Sequence, residues 1–382
     1  MPPEIHLFLI WSNARPTFAK ILDDLRGRFE VLTHVDIRWS AEKFASNMTR
    51  FYGVNLPSQS YKEVHCGNGP FAMVLVRDAA PKYEERKTSR GPVVVNTNMF
   101  DAKSVYREWT GGGHRIHATN SIEECRHDVA LLTGLGPEAF LQERAARGAP
   151  DGELLERDLT GARGWRDLRE LFGVLNQCTR TVVLRNFEAM PDEYTLAGHG
   201  DIDLLCEDPV MAAYVLGGER AFPDARRVHY YVKLGGERVP FDLRSPDDRY
   251  MEPEWSRAIL QDRVLREGVF FTPPPNDYFF SLLYHAMIHK RRVSDDYLDR
   301  LIALAPGIGV STEAVIDPAA RSELMNGFMR ARGYRYCSPV DPTVNFFVGS
   351  VGGFGALGFT PRDGLEGKME EWIGGRKIAA RA

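Results

Sequence analysis

The chain has 382 residues, of which 43% are hydrophobic, 11% aromatic and 26% charged, proportions that exclude a disordered, collagen-like or coiled-coil protein. At about 150 residues per domain, this length predicts two to three domains. The 48 basic and 52 acidic residues give a formal charge of −4, so no global positive field attracts nucleic acid or an anionic membrane, and any phosphate-binding surface must be local.

The termini and cysteines predict a cytoplasmic protein. The five cysteines are widely separated and never in C-x-x-C spacing, so we expect neither a disulfide framework nor a zinc site. The N-terminus lacks the basic start and cleavage site of a signal peptide. No run reaches the ~18 apolar residues of a spanning helix, so we expect no membrane span.

Residues 1–148 alternate strand and helix signals and predict an α/β domain that could bind an acceptor or a phosphate group. Residues 144–152, rich in Ala, Gly, Pro and charge, mark its expected end. Strands are expected at 6–11, 30–39, 71–76 and 92–96, a helix at 14–29 and a charged loop at 77–90.

A glycine triplet at 111–113 precedes a helix that Asn120 or Ser121 should begin, with a glutamate three residues on as in a capping box. The N-terminus of a helix favours anions because its first backbone N–H groups are free, and nearby basic side chains would add charge-assisted hydrogen bonds. The turn is similar to the nucleotide-contacting turn of the ParB/sulfiredoxin-like fold. Two interpretations stay open, an ordinary capped turn or a phosphate or substrate site with Lys103, Arg107, Gly112, Gly113, His114, Arg115 and His117 as ligands.

Residues 160–250 predict a second domain, and residues 251–382 predict a helical appendage and tail. The Gly235-Gly236 pair between two strand-like runs is a strong signal for a tight hairpin. The expected elements are a helix at 164–177, strands at 179–185 and 201–205, a hairpin of 228–234 with 237–244, and a helix at 278–291.

Three aspartates of this second domain carry the main chemical prediction. Alternate residues of a strand share a face, so Asp201 and Asp203 should project together. Asp242 lies between apolar neighbours on the return strand of the hairpin. Oxygen ligands of this kind suit Mg²⁺, and two such ions can clamp the attacking and leaving oxygens of a displacement at phosphorus. The three aspartates are the expected metal ligands and catalytic residues.

The Gly-x-Asp-Ile-Asp-Leu-Leu string, with a third aspartate on a nearby strand, resembles the nucleotidyltransferase superfamily of the DNA polymerase β type over residues 165–300. The resemblance implies an α+β domain with a mixed or antiparallel sheet, Mg²⁺ or Mn²⁺, and a nucleoside triphosphate substrate. It implies nucleotidyl transfer to a small-molecule or glycan acceptor. The family has Gly-Ser where this chain has Arg185-Asn186, so the expected phosphate neighbours are Arg185, Gly198, His199 and Gly200.

Two alternatives remain open. A phospho-sugar or polyol-phosphate transferase of surface-glycan synthesis, like the fukutin- and LicD-like branch, would keep the same metal aspartates. A non-catalytic nucleotide-binding regulatory protein would account for the departure at Arg185. Two other motifs are weaker indications of function. The G-x-G-x-x-G string at 353–358 is not followed by the long helix that a dinucleotide site requires. His285 and His289 are better explained by packing or by substrate contact than by metal binding.

Overall fold

The computed structural model describes residues 1–88, 91–193, 201–290, 292–347 and 351, with short strands at 359–360, 370–373 and 376–379. As predicted, the chain mixes helices and sheets and has a helical region in its C-terminal part. It divides into two compact units. The first comprises Met1–Thr179, Val210–Gly217 and Lys233–Gly236, and the second comprises Arg180–Pro209, Gly218–Val232 and Glu237–Ala382.

The first unit is built on a five-stranded sheet in the order β6-β1-β3-β2-β7. Its strands, with the separate hairpin β4-β5, are β1 Glu4–Ile10, β2 Glu30–Arg38, β3 Phe71–Asp78, β4 Tyr83–Thr88, β5 Gly91–Asn96, β6 Ile116–Ala118 and β7 Glu153–Glu156. Its helices are α1 Phe18–Arg28, α2 Phe44–Tyr52, α3 Tyr61–Cys66, α4 Thr97–Trp109, α5 Ile122–Thr133, α6 Pro137–Arg147, α7 Leu168–Cys178 and α8 Pro209–Leu216, with a 3₁₀ turn at Ser12–Thr17.

The central strands of this sheet are apolar because both of their faces are covered. Strand β3 runs antiparallel to β1 and β2, and its first six residues are fully buried. Strand β2 instead alternates toward its end, where Val35 and Ile37 are buried and their neighbours are partly exposed. Helices α1 and α4 contribute Leu25 and Tyr106 to the core on one face of the sheet.

The first unit extends beyond the expected boundary at 144–152. Those residues lead from α6 into β7, which pairs in parallel with β2, so they connect two elements of one unit. The charged segment expected as a loop at 77–90 also differs. Tyr83–Thr88 forms a strand against Gly91–Asn96, and its four consecutive charged residues, 84–87, are exposed or partly exposed.

The predicted capping box is confirmed at the start of α5. The Ser121 hydroxyl accepts a hydrogen bond from the Glu124 backbone N–H at 3.2 Å. The Glu124 carboxylate in turn accepts from the Asn120 backbone N–H at 2.6 Å. These bonds satisfy backbone donors that would otherwise be left open at the helix start.

The second unit has its own five-stranded sheet in the order β10-β11-β12-β9-β8. Its strands are β8 Thr181–Val183, β9 Ile202–Cys206, β10 Glu219–Arg220, β11 His229–Leu234, β12 Glu237–Arg244, β13 Val264–Arg266, β14 Phe270–Thr272, β15 Tyr336–Cys337, β16 Phe359–Thr360, β17 Glu370–Ile373 and β18 Arg376–Ala379. Its helices are α9 Pro253–Gln261, α10 Pro275–Tyr284, α11 Asp295–Leu304, α12 Thr312–Ile316 and α13 Pro318–Arg332, with 3₁₀ turns at Pro246–Asp248 and Ala305–Ile308.

This second sheet is mixed, which is one of the two sheet types that the resemblance implied. Strand β12 is parallel to β9, whereas β8 is antiparallel to β9. Gly235 and Gly236 make the two-residue turn between β11 and β12, and both have positive φ, at 61° and 89°. A type I′ hairpin turn requires that backbone conformation at both positions.

The helical region packs into one core with Val182 and Leu205 of the sheet. Helix α10 continues into a single π-helical turn, His285–His289, in which the Lys290 N–H donates to the His285 carbonyl at 3.2 Å. Such turns widen a helix locally and change the direction of its side chains. Among the described residues, none of the helices has both the length and the apolar character needed to cross a membrane.

The buried Arg50 guanidinium joins separate segments of the first unit. It donates to the backbone carbonyls of Thr160 at 2.9 Å, Val215 at 2.6 Å and Tyr214 at 3.2 Å. It also lies 5.7 Å from the centre of the Trp165 ring. Burial lowers the pKa of Arg50 to about 10, so it remains charged at neutral pH.

We expect Arg50→Ala to lower the free energy of unfolding of the first unit by about 2–4 kcal/mol, because buried carbonyls lose charged donors. Urea unfolding followed by tryptophan fluorescence measures this loss. Arg26→Ala removes an exposed arginine of α1 that pairs with Asp23 at 3.3 Å, and it should change stability by less than about 0.5 kcal/mol. Equal, small effects of both variants would contradict this role for Arg50.

Candidate metal site in the second unit

The structure brings together the three aspartates that the sequence selected. Asp203 is the second residue of β9, and Asp201 directly precedes that strand. The parallel pairing of β12 with β9 places Asp242 opposite Asp203. One carboxylate oxygen from each of the three lies within 4.8 Å of the others. This spacing allows all three groups to bind one cation.

Two buried arginines bind the two buried carboxylates. Asp203 and Asp242 are 1% and 4% exposed, whereas Asp201 is half-buried. Arg185 donates to Asp203 at 2.6 Å, and Arg244 donates to Asp242 at 2.7 Å. Two guanidinium charges thus offset two of three carboxylate charges, and one oxygen of each buried carboxylate is already engaged.

The donor set fits a divalent cation. Carboxylate oxygens are the preferred protein ligands of Mg²⁺ and Mn²⁺. Burial raises the pKa of Asp203, and the nearby Asp201 adds to this effect while Arg185 opposes it. Burial alone would lower the pKa of Arg185, but Asp203 together with Tyr250, Tyr297 and Asp201 raises it above its usual value. A bound cation would further favour the ionised form of Asp203.

Tyr250 lies between the arginines and the helical region. The guanidinium carbons of Arg244 and Arg185 lie 4.2 and 5.5 Å from the centre of its ring, and the His289 ring lies 4.1 Å away on centroids. Its hydroxyl is hydrogen-bonded to His285, which also bonds Tyr297 at 2.9 Å. Burial lowers the pKa of His285 and His289 well below the usual value, so both rings are neutral beside the arginines.

Sequence reasoning missed two residues beside the aspartates. His229 Nε2 lies 3.6 Å from an Asp242 oxygen, and His229 Nδ1 lies 3.6 Å from Asp341. Asp341 is fully buried and accepts from the backbone and hydroxyl of Thr343 at 2.9 and 2.7 Å. The position of His229 could have been predicted from the sequence. A two-residue turn at Gly235-Gly236 sets a hairpin register in which residue 229 lies opposite residue 242. No motif in the sequence around Asp341 indicates that this residue lies near the aspartates.

The expected phosphate neighbours are placed only in part. Arg185 lies at the cluster, where its guanidinium binds Asp203. Arg300 donates to the side chain of the next residue, Asn186, at 3.0 Å. Asn186 has a φ of 61°, a left-handed conformation that asparagine tolerates. Gly198, His199 and Gly200 lie outside the described residues.

The glycine turn of the first unit uses most of its cations internally. Lys103 donates to Asn120 at 2.8 Å, Arg107 donates to the Ile116 carbonyl at 3.0 Å, and Arg115 donates to the Thr110 carbonyl. Gly111, Gly112 and Gly113 all have positive φ. The His114 carbonyl accepts from the Cys66 thiol at 3.3 Å. Binding of phosphate at this turn therefore stays a prediction.

The residues that follow this turn include a second group of possible metal ligands. His117 binds the buried Asp128 through Nε2 at 2.6 Å, and Glu124 lies close enough to share an ion with them. Asp128 also binds His127 at 2.9 Å. Burial lowers the pKa of Lys103 to about 8, so this lysine can titrate near neutral pH. The hydrogen bonds account for this group as an internal polar network.

Comparisons with known proteins leave the family open. No family model matches the chain, and no curated protein matches it. Among solved structures, the orthorhombic C222 crystal form of the nucleoside diphosphate kinase from Aquifex aeolicus matches at 19% identity with a TM-score of 0.23. The match covers 34% of this chain and 93% of that chain. A similarity at this level carries no argument about fold or function.

We expect the ion pair between Arg185 and Asp203 to be strongly coupled. Removing either partner leaves a buried charge unpaired, which typically costs ~3–5 kcal/mol. Arg185→Met and Asp203→Leu should each destabilise the second unit, and the double variant should recover part of the loss. Chemical denaturation of the four proteins gives the coupling energy. Additive losses in the double variant would contradict the pairing.

We also expect Asp248 to make stability depend on pH. Its carboxylate lies 3.7 Å from Arg244 and accepts from the Tyr250 N–H at 2.8 Å. Burial raises its pKa to about 6, above the ~3.9 of an unfolded chain. The folded state thus binds this proton more tightly, and the resulting stability is full below pH ~4 and lost as the pH rises past about 6.

Asp248→Asn mimics the protonated side chain and should remove this pH dependence. Relative to the variant, the unchanged protein should lose ~2–3 kcal/mol of unfolding free energy between pH 4 and pH 7.5. Asp247→Asn, at an exposed neighbouring carboxylate, is the matched control. Its unfolding free energy should show the same pH dependence as that of the unchanged protein. A constant difference between Asp248→Asn and the unchanged protein across that range would contradict the prediction.

Proposed function

We propose that the second unit is a nucleotidyltransferase that depends on Mg²⁺ or Mn²⁺. It would move a nucleotidyl group from a nucleoside triphosphate to a hydroxyl of a small-molecule or glycan acceptor. The observation that carries the proposal is the convergence of Asp201, Asp203 and Asp242, whose ligand oxygens lie within 4.8 Å of one another where β9 pairs with β12. The motif around Asp201 and Asp203 is the one that resembles the polymerase-β-type superfamily.

The chain's own residues have distinct roles in this proposal. Asp201 and Asp203 hold the divalent cation, and Asp242 is a further ligand or the base that accepts the proton of the acceptor hydroxyl. The bound cation would offset negative charge on the phosphates. Arg185 and Arg244 keep their carboxylates oriented and reduce the repulsion among the three acids. The acceptor oxygen attacks the α-phosphorus, and the bond to the leaving pyrophosphate breaks.

A second candidate is a nucleotide-binding regulatory protein without catalysis. The contact between Arg185 and Asp203 at 2.6 Å favours it, because an arginine bound to a metal-ligand oxygen competes with the cation for that atom. A phospho-sugar or polyol-phosphate transferase would use the same aspartates. It would release a nucleoside monophosphate from a nucleoside-diphosphate donor, where nucleotidyl transfer from a triphosphate releases pyrophosphate.

We also propose the partners and the cellular location of the reaction. Its partners are a nucleotide and a small-molecule or glycan acceptor, without nucleic acid, and its location is cytoplasmic. The first unit would bind the acceptor or a second phosphate group, and the cations around Gly112, Gly113 and His117 are the candidates for that contact. The internal hydrogen bonds of Lys103 and Arg107 leave fewer free cations for that role.

Thermal unfolding with nucleotides tests the proposed site. With Mg²⁺ or Mn²⁺ present, a nucleoside triphosphate should raise the melting temperature, because a ligand that binds only the folded state stabilises it. Asp201→Asn should abolish this shift because it removes a proposed metal ligand, and Asp201 is only half-buried, so the variant should still fold. Asp262→Asn, at an exposed carboxylate of the same unit, should retain the shift.

Product analysis then separates the candidate activities. A transferase should release pyrophosphate from the triphosphate when a pool of hydroxyl acceptors is added, and Asp203→Asn should lower that rate at least ~100-fold. Release of a nucleoside monophosphate from a nucleoside-diphosphate sugar would support the phospho-sugar alternative. A nucleotide-dependent shift in melting temperature without either product would support the regulatory protein. A shift that survives in Asp201→Asn would overturn the metal site.

A further inference from the structure

We propose that the first unit contains a binding site for a free amino acid, in a cavity where strands β2 and β7 end. All the residues that line this cavity belong to the first unit. The inference goes beyond the proposed function, because it concerns a different cavity and uses none of the three aspartates. It assigns the carboxylate of the amino acid to Arg157 and its ammonium group to Glu170.

The cavity lies at the carboxyl ends of two neighbouring parallel strands. Strand β2 pairs with β7, and Arg38 lies opposite Glu156 at the last position of each strand. The segments that follow such strand ends commonly form the ligand-binding crevice of α/β proteins. The crevice here has a volume of about 720 Å³, which is within the range of small-molecule sites. It is lined by residues 38–40, 156–164 and 170.

Hydrogen bonds hold the two segments of the cavity wall together. The Asp158 carboxylate, on the segment after β7, accepts from the Ser40 backbone N–H at 3.0 Å and from the Asn47 side chain at 2.9 Å. The Thr160 carbonyl accepts from the buried Arg50 guanidinium at 2.9 Å. The wall is therefore built by the fold itself, and a ligand would enter a cavity that already exists.

Arg157 is a cation of the cavity lining without a carboxylate partner in the described part of the chain. Its guanidinium donates to the Thr133 carbonyl and to the Thr160 hydroxyl, both at 3.0 Å. These two bonds leave other N–H groups of the guanidinium available. Burial lowers the pKa of Arg157, and the carboxylates of Glu170 and Glu143 oppose this effect only in part. A carboxylate ligand would give this cation the ion pair that the fold does not.

Glu170 is the complementary case, a half-buried carboxylate of the lining that has no cationic partner among the described residues. It accepts from the Arg166 backbone N–H at 2.8 Å, while its own N–H donates to Asp167 at 2.8 Å at the start of α7. This arrangement is similar to a capping box and uses Oε2 of Glu170. The other oxygen, Oε1, is available to a donor.

The remaining charged groups of the lining pair with one another. Arg38 donates to Glu156 at 2.7 Å. Arg163 lies 3.3 Å from Asp158. In the part of the chain that the structure describes, the cavity therefore keeps one guanidinium and one carboxylate that have no ion pair.

These two unpaired groups determine the class of ligand. A carboxylate can bind a guanidinium through two parallel hydrogen bonds, and an ammonium group donates to a carboxylate. An amino acid carries both groups and is electrically neutral. A phosphate dianion is less suitable, because the acids of the lining, Glu156, Asp158 and Glu170, would repel it.

The volume of the cavity also leaves room for the side chain of an amino acid. Trp39, which lines the cavity, is 3% exposed, and its indole N–H has no acceptor among the described residues. Buried N–H groups in folded proteins nearly always have a partner, from the protein or from ordered water. A bound ligand or a water molecule beside it would supply that partner.

Calorimetric titration of the full chain with each of the common L-amino acids tests the inference. At least one should bind with a dissociation constant of ~1 mM or lower. Two derivatives of that amino acid test the assigned contacts. The amide lacks the carboxylate and the N-acetyl form lacks the ammonium group, so each should bind at least ~10-fold more weakly.

Variants of the protein should reproduce these losses selectively. Arg157→Gln should weaken binding of the amino acid at least ~10-fold but should hardly change binding of the amide, which has no carboxylate to lose. Glu170→Gln keeps a side-chain oxygen for the Arg166 N–H, and it should weaken binding of the amino acid but hardly that of the N-acetyl form. Arg77→Gln, at an exposed arginine that pairs with Glu30 at 2.7 Å outside the cavity, is the control and should leave binding unchanged.

Circular dichroism establishes that each variant is folded. If Arg157→Gln does not fold, Arg157→Lys replaces it, because lysine keeps the charge but loses the two parallel hydrogen bonds. Absence of binding by every amino acid would overturn the inference. Binding that Glu170→Gln and both Arg157 variants leave unchanged would also overturn it, as would binding of inorganic phosphate in place of every amino acid. None of these results bears on the aspartates of the second unit.

Discussion

The parallel pairing of β12 with β9 is the interaction on which the second unit's site depends. Asp203 and Asp242 are separated by 38 intervening residues in the chain, and this pairing makes them neighbours in adjacent strands. Parallel neighbours cannot be joined by a tight turn, so a longer connection must bring the second strand into place. Here that connection contains α8, β10 and β11, and the β11-β12 hairpin delivers Asp242 to its position.

Burying carboxylates together requires positive charge nearby, and the second unit meets this requirement with arginines. Asp203 and Asp242 would be costly to ionise in the interior without partners. Arg185 and Arg244 supply those partners at 2.6 and 2.7 Å. Each arginine engages one oxygen of its carboxylate. The same contacts therefore stabilise the folded chain, and in the proposed function they would compete with a cation for these carboxylates.

In the first unit, polar side chains that the sequence suggests as ligands instead form hydrogen bonds within the protein. Its glycine turn is rich in cations, which in isolation is typical of an anion site. In the structure, Lys103 donates to the Asn120 side-chain oxygen and Arg107 donates to the Ile116 backbone carbonyl. His117 is held by the buried Asp128. The same residue types thus have different consequences in the two units, because their partners differ.

The sequence by itself determined the local features of this protein. Capping at Ser121, the Gly235-Gly236 turn and the Asp201/Asp203 pair follow from spacing within a few residues, where backbone geometry dictates which side chains meet. The tertiary structure alone decided which distant groups surround the aspartates. Asp341 contacts His229, and Tyr250 lies against Arg244 and His289, although both residues are in connecting segments. The pairing of β7 with β2 likewise extended the first unit, because such contacts depend on residues far apart in the chain.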